Sequence, residues 1–267
     1  MIDFARSQIL FDPDRLTASA VALNLDVSDN SVEQPEHRHR KGQLVIARRG
    51  AVTCHVERGV WIVPPDCGVW IPGGMSHSNH VSLNGQITLL FVEPGAAFLP
   101  KICCTFAIPP LVREMVAHLT AQPQDYAADS ATGRVAAVLL EQLATMPVEH
   151  LHLPMPSNLR LRKIATELIK NPSNRSTVAQ WASQIALSER SLARLVVAET
   201  GMTFGRWRRQ LHVIVALQKL SIGLPVQRVS EDLGYESVNA FITMFKSMLG
   251  KTPGHYFPRK GRANIEY

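Results

Sequence analysis

The sequence predicts an α+β chain of two domains: an N-terminal antiparallel β-barrel with helices behind it, then an all-α domain carrying two helix-turn-helix units. Three observations predict it. From Leu16 to about Pro94 apolar residues alternate or run in short bursts between turn signals, and from about Pro109 the spacing becomes helical. Charge divides in the same way: residues 157–267 hold 17 Lys and Arg against 7 Asp and Glu (+10), and residues 1–156 hold 11 against 15 (−4). Finally, one helical pattern occurs twice in the basic part, 48 residues apart.

In chain order, TASAVALNLDV, QLVIARR, AVTCHVE, VWIV, GVWIP and QITLLFVEP read as successive strands, with Trp61 and Trp70 assigned to the barrel core. Arg58-Gly59 and Asn84-Gly85 mark tight hairpins. PPLVREMVAHLTA and TGRVAAVLLEQLATM follow with helical spacing. The stripe Val135, Val138, Leu139 and Leu143 on the second suits either a dimer contact or a face packed on its own barrel. PVEHLHLPMPSN, with three prolines, reads as a linker. The expected organisation is therefore a barrel over 1–108, a helical relay over 109–147, a linker over 148–158 and the helical domain over 159–260.

The composition excludes several classes. A chain of 267 residues is long enough for two ordinary domains. The start, MIDFARSQILFDPD, lacks the apolar run of a signal peptide, and no stretch suits a membrane span. Cys54, Cys67, Cys103 and Cys104 form no CxxC motif and are expected to be reduced thiols in a cytoplasmic protein. There is no Gly-rich phosphate loop and no Ser-His-Asp arrangement. The basic half suits a polyanion.

The repeat sharpens that expectation. Val178, Trp181 and Ile185 correspond to Val226, Val229 and Leu233, and each copy has a small turn residue, Ala186 or Gly234. After one inserted residue, Leu192 and Leu195 correspond to Phe241 and Met244. Each copy is a short helix, a tight turn and a second helix with an apolar inner face. Thr177 with Gln180 suits a capping box, Ser188 a cap on the next helix, and Ser237 or Glu236 the matching cap in copy two.

Residues 159–259 resemble the DNA-binding domain of AraC/XylS-type transcription regulators, two helix-turn-helix units joined by a long helix, here FGRWRRQLHVIVALQKL. The most specific match is DLGYESVNAFITMFKSMLGKTPGHYF, through Gly234-Tyr235, Ser237, Phe241, Phe245-Lys246, Gly250, Thr252-Pro253 and Tyr256. Leu211 departs from it, since many members carry arginine there. The resemblance implies recognition helices that enter successive major grooves of double-stranded DNA. With Leu192, Leu195 and Val196 facing inward, Arg190, Ser191, Ala193 and Arg194 face outward on the first; Val238, Asn239, Thr243 and Lys246 do so on the second. Arginine suits guanine, asparagine adenine, and Val238 a thymine methyl. Lys246, Arg206, Arg208 and Arg209 are the expected phosphate contacts.

The N-terminal part holds a histidine pattern. His37, His39 and Gln43 would share one face of an unbroken strand, within reach of His77 from a neighbouring one. HRHRKGQLVIARRG and GVWIPGGMSH resemble the two motifs of the cupin barrel, through His37, His39, Gln43 and Gly50 and then Pro72, Gly74 and His77. Metal-binding cupins carry glutamate where this chain has Gln43, which removes the anionic ligand of a carboxylate site. Three readings stay open: a divalent metal such as Zn²⁺ or Ni²⁺ on His37, His39 and His77, a small-molecule effector pocket, or hydrogen-bonded structural histidines. The resemblances together imply a sequence-specific transcription regulator with a ligand-sensing barrel, not an enzyme. They also imply a homodimer, contact with RNA polymerase if it activates, and action on a neighbouring transport or metabolic gene. The alternative is a metal-dependent cupin dioxygenase or isomerase fused to a nucleic-acid-binding module.

Overall fold

The computed structural model describes residues 11–27, 35–49, 52–56, 59–63, 67–81, 85–149 and 152–256. They fall into two units that divide between Met155 and Pro156. Gly50, Arg58 and Asn84 lie outside the described residues.

The first unit contains β1 (Ala20–Val27), β2 (Gly42–Arg49), β3 (Val52–Val56), β4 (Gly59–Val63), β5 (Cys67–Ile71), β6 (His77–Val81), β7 (Gly85–Val92) and β8 (Cys104–Ala107). Helices α1 (Pro110–Thr120) and α2 (Ala131–Ala144) follow, then β9 (Val148–Glu149) and β10 (His152–Pro154). A six-stranded sheet runs β1-β7-β2-β5-β8-β9 and a four-stranded sheet β10-β4-β3-β6, with every ladder antiparallel. Among the described residues the two sheets form separate ladders, so the expected barrel is not closed.

Alternation along the strands explains why both faces of the larger sheet are dry. Val45 on β2 and Ile87, Leu89 and Phe91 on β7 point into a core shared with Val52, Cys54, Trp61 and Val63 of the smaller sheet. Leu44, Ile46, Leu90 and Val92 point the other way, onto Val112, Val116 and Leu119 of α1 and Ala136, Leu139, Leu140 and Leu143 of α2. A strand buried on both faces reads as a continuous apolar run, as QITLLFV does. Trp61 lies in the inter-sheet core, whereas Trp70 lies on the helix side and donates its indole N–H to the Pro100 carbonyl at 2.8 Å.

Of the two readings of the stripe Val135, Val138, Leu139 and Leu143, the packing on its own unit is the one seen: Leu139 and Leu143 are buried against their own sheet, and Val138 is its exposed member. The relay helices thus complete the first unit's core. The 148–158 segment is not a bare linker, because β9 extends the larger sheet beside β8 and β10 extends the smaller one beside β4. Prolines suit such edge positions, where a missing N–H costs no ladder bond. β6 and β7, the strands on either side of the expected Asn84-Gly85 hairpin, belong to different sheets, since β6 pairs with β3 and β7 with β1 and β2. Beside Arg58-Gly59, by contrast, β3 and β4 do pair, with Val56 opposite Gly59. Last, β8 occupies a segment that the apolar pattern left unassigned.

The second unit is helical: α3 (Leu159–Lys170), α4 (Val178–Gln184), α5 (Glu189–Thr200), α6 (Phe204–Ser221), α7 (Val226–Asp232), α8 (Val238–Leu249) and α9 (Pro253–Tyr256). Val213, Ala216, Leu217 and Leu220 of the joining helix α6 share a core with Val229, Leu233, Phe241, Met244 and Phe245. Its N-terminal Phe204 and Trp207 line one small cavity with Leu161, Ile164 and Ala165 of α3 and Val196 of α5. Leu211 is buried on α6. No described helix is long and apolar enough to cross a membrane.

Candidate nucleic-acid interface and effector cleft

Two capped helices present the expected reading faces. Thr177 and Gln180 form the full capping box of α4. The Ser188 hydroxyl accepts from Ser191 N–H at 3.2 Å, and Ser237, not Glu236, caps α8 by accepting from Ala240 N–H at 3.2 Å. The two turns match in backbone as well as pattern: Ala186 has φ 53° and Gly234 φ 72°, both left-handed.

Leu192 and Val196 are buried beneath α5, and Leu195 is half-buried. On the opposite side Arg190, Ala193 and Arg194 are exposed, while Ser191 is half-buried with its hydroxyl on Ser188 at 2.9 Å. On α8, Phe241, Met244 and Phe245 are buried, Asn239, Thr243 and Lys246 are exposed, and Val238 is half-buried. The Thr243 hydroxyl turns back to the Asn239 carbonyl at 2.8 Å. Arg206 and Arg209 are exposed on α6, but Arg208 is half-buried and donates from Nη2 to the Asn174 carbonyl. Burial, then its charged neighbour Arg175, lowers its pKa. Arg208 is thus turned by α6 onto the loop before α4, with only part of its guanidinium open to solvent.

In the first unit the histidines converge, though not from one strand. β2 begins only at Gly42; His37 instead makes an isolated antiparallel bridge with His77, each N–H donating to the other's carbonyl at 2.9 Å. Gly74 N–H donates to the His39 carbonyl at 2.7 Å, with Gly74 at φ 80°. A Cβ on the neighbouring Gly73 would stand 2.0 Å from the Arg40 carbonyl oxygen, so the two segments meet backbone to backbone. One ring nitrogen from each of His37, His39 and His77 lies within 4.8 Å of the others.

The hydrogen bonds set the tautomers. Each Nδ1 faces a backbone carbonyl, that of Pro35 at 3.0 Å, Lys41 at 2.6 Å and Met75 at 2.9 Å respectively. A carbonyl only accepts, so each neutral ring carries its proton on Nδ1 and a lone pair on Nε2. Gln43 Oε1 stands 3.1 Å from His39 Nε2 and 2.7 Å from His77 Nε2. The His39 and His77 lone pairs would be served by the Gln43 amide turned to present its NH₂, or those of all three rings by a cation held among them. Carbonyl-oriented imidazoles are how proteins aim metal ligands, so the set fits a divalent ion of the zinc or nickel class. Burial drives the His77 pKa down to about 4, helped by His37 and His39; burial also lowers that of His37. A cleft of about 330 Å³ opens beside the cluster, bounded by His37, Arg38, His39, Gln43, Leu89 and Phe91.

An anchor that had no sequence signal holds this site. Lys41 is fully buried and donates from Nζ to the Ala18 carbonyl at 2.9 Å and to Glu93 at 2.7 Å. Arg40 pairs with the same carboxylate, and Asp14 accepts from the Arg40 and Lys41 N–H groups at 2.6 and 3.0 Å. Burial by itself would raise the Asp14 pKa, but these bonds and the nearby cations bring it below the ordinary value. A lysine beside two arginines and two histidines reads as surface from sequence; only its distant partners reveal otherwise.

Two helix-turn-helix units behind a sheet domain with a ligand-sized cleft define a DNA-binding transcription regulator. Residues 181–259 match a helix-turn-helix domain family, and residues 26–144 match the AraC-like ligand binding domain. The HTH-type transcriptional regulator NimR of Escherichia coli K12 is 45% identical over 249 residues, 93% of this chain and 91% of NimR. The regulator RipA of Corynebacterium diphtheriae is 32% identical over 102 residues, 38% of this chain and 30% of RipA. A crystal structure of ToxT from Vibrio cholerae covers 90% of this chain and 97% of its own at 10% identity, with a TM-score of 0.38. The chain belongs to the AraC family of helix-turn-helix transcription regulators. It is a transcription regulator whose N-terminal part matches the AraC-like ligand binding domain.

Proposed function

We propose that α5 and α8 are the reading helices of a small-molecule-controlled cytoplasmic regulator. Arg190 and Arg194 address guanine edges, Asn239 an adenine and Val238 a thymine methyl. Ser191 and Thr243 supply short polar contacts beside them. Lys246, Arg206 and Arg209 hold phosphates, which fix register without reading sequence. The observation that carries this reading is the exposure of Arg190, Arg194, Asn239, Thr243 and Lys246 on helices whose opposite faces are buried.

The effector site is the cleft beside His37, His39, Gln43 and His77, where apolar walls meet a few convergent polar groups. Effector binding acts by favouring one state of the chain over another. The reading includes a homodimer, whose contact lies elsewhere than Leu139 and Leu143, and RNA polymerase contact where the protein activates a neighbouring transport or metabolic gene.

The test is a binding titration on the DNA upstream of this protein's own gene, at two salt concentrations, beside an unrelated fragment. Wild type binds the upstream fragment selectively, and a folded Arg194→Ala, Asn239→Ala double variant loses that selectivity. Equal binding of both fragments by both proteins overturns the reading.

A further inference from the structure

We propose that a polar strut running from the loop before α4, across α6, to the turn before α8 holds the two reading helices at one spacing. In this role Arg175, His212 and Tyr235 are positioning residues that select which half-site spacing the protein accepts. The inference rests on α5 and α8 being the reading helices.

The strut joins two short segments distant in sequence. Residues 172–175 lie just ahead of Thr177, which caps the first unit, and residues 234–236 just ahead of Ser237, which caps the second reading helix. Four hydrogen bonds connect them, two through His212 and two through Arg175, and a fifth ties the first segment to α6. Buried His212, on α6, has Nε2 at 3.0 Å from the Pro172 carbonyl and Nδ1 at 2.9 Å from the Tyr235 hydroxyl. Because the carbonyl only accepts, Nε2–H donates to it, and Nδ1 accepts from the Tyr235 O–H. Arg175 donates to the Gly234 carbonyl and, at 2.8 Å, to Glu236. Arg208 donates to the Asn174 carbonyl one turn of α6 earlier.

The backbones themselves nearly touch: a Cβ on Gly234 would stand 3.1 Å from the Ser173 carbonyl oxygen. Tyr235 is held in addition by edge contacts, its ring 5.4 Å from His212 and 5.6 Å from Phe241. Magnitudes rank these contacts. The Arg175–Glu236 ion pair is exposed on both sides and contributes little. Directed hydrogen bonds to buried partners contribute more, because breaking one strands a polar group without water. Burial, then the neighbouring Arg208, drives the His212 pKa down to about 4, so its single tautomer persists at neutral pH. A helix alone joins the units through one covalent hinge; the direct contacts of Arg175 with Gly234 and Glu236, 59 and 61 residues away in sequence, add a second connection outside that helix, and two connections resist rotation where one permits it.

The test uses the full chain. Synthetic duplexes carry the footprinted upstream site with the half-site separation changed by one or two base pairs in either direction. Wild type is expected to prefer one separation, and Tyr235→Phe, which removes only the hydroxyl, narrows that preference about fivefold, as does Arg175→Met. A second readout needs no DNA: spin labels on the exposed Ala198 and Ser247, introduced as cysteines in a Cys103→Ser background. Both variants are expected to broaden a narrow label-to-label distance distribution. An unchanged distribution in folded variants overturns the proposal, even where melting temperatures fall. Wild type that shows no sequence selectivity overturns the reading helices, whereas the distance measurement still decides the strut.

Discussion

Exchanging the two turn residues has opposite effects on the helical unit. Gly234 has φ 72°, where an alanine costs about 1–2 kcal/mol. Its new Cβ would also stand 3.1 and 3.3 Å from Ser173 backbone atoms, which must give way. Against this, alanine restricts the unfolded chain, which returns about 0.4–1 kcal/mol. Gly234→Ala therefore destabilises the unit by about 1–2 kcal/mol, or roughly 4–8 °C in Tm at this size. Ala186 already occupies the left-handed region, with φ 53°. Ala186→Gly relieves about 1–2 kcal/mol of strain and loses about 0.4–1 kcal/mol to unfolded-state entropy, a net gain of roughly 0.5–1 kcal/mol. The assay is urea unfolding of the full chain followed by far-ultraviolet circular dichroism, with m-values compared so that a change in midpoint reports stability. Shifts of the same sign in the two variants would refute the account of these turns as matched left-handed bends.

Three other outcomes follow from the same geometry. Arg206→Ala and Arg209→Ala each lower the slope of log affinity against log salt by about 0.9 and leave base preference unchanged; an unaltered slope removes that residue from the phosphate set. Lys41→Met removes the buried ammonium from the Ala18 carbonyl and from Glu93, which keeps Arg40, and destabilises the first unit by about 1.5–3 kcal/mol, measurable as an early unfolding transition; a variant as stable as wild type would show the ion pair to be dispensable. His77 and His212 have folded pKa values of about 4 against an ordinary 6.5, so the unfolded chain takes up protons first as pH falls. Stability is then full above pH 6.5 and falls as pH drops toward 4, by about 2 kcal/mol per histidine between pH 7 and pH 5. Replacing His212 by Gln should flatten the helical unit's pH profile over that window.

The helical unit was the more legible half, because its signals are local. A capping box needs only Thr177 and Gln180, a buried helix face only a 3.6-residue period, and a left-handed bend only a small residue at the right place. Those features were readable from neighbours in the chain, and so were the outward positions of Arg190, Arg194, Asn239, Thr243 and Lys246. The strand-rich character and the charge division were legible for the same reason.

What the tertiary structure alone decided depends on partners far apart in sequence. Whether Leu139 faces a second subunit or its own sheet is invisible in a helical stripe, since both surfaces are apolar. Closure of a barrel depends on which strands meet at the edges, and alternation is identical in closed and open sheets. Lys41 is buried because Glu93 and the Ala18 carbonyl await it, Arg208 turns inward because Asn174 does, and the histidines converge through a backbone bridge between His37 and His77. Residue type and period encode what each segment can bury. Only folding determines which distant group satisfies each buried charge, proton and lone pair, because those energies exist only once both partners have left water.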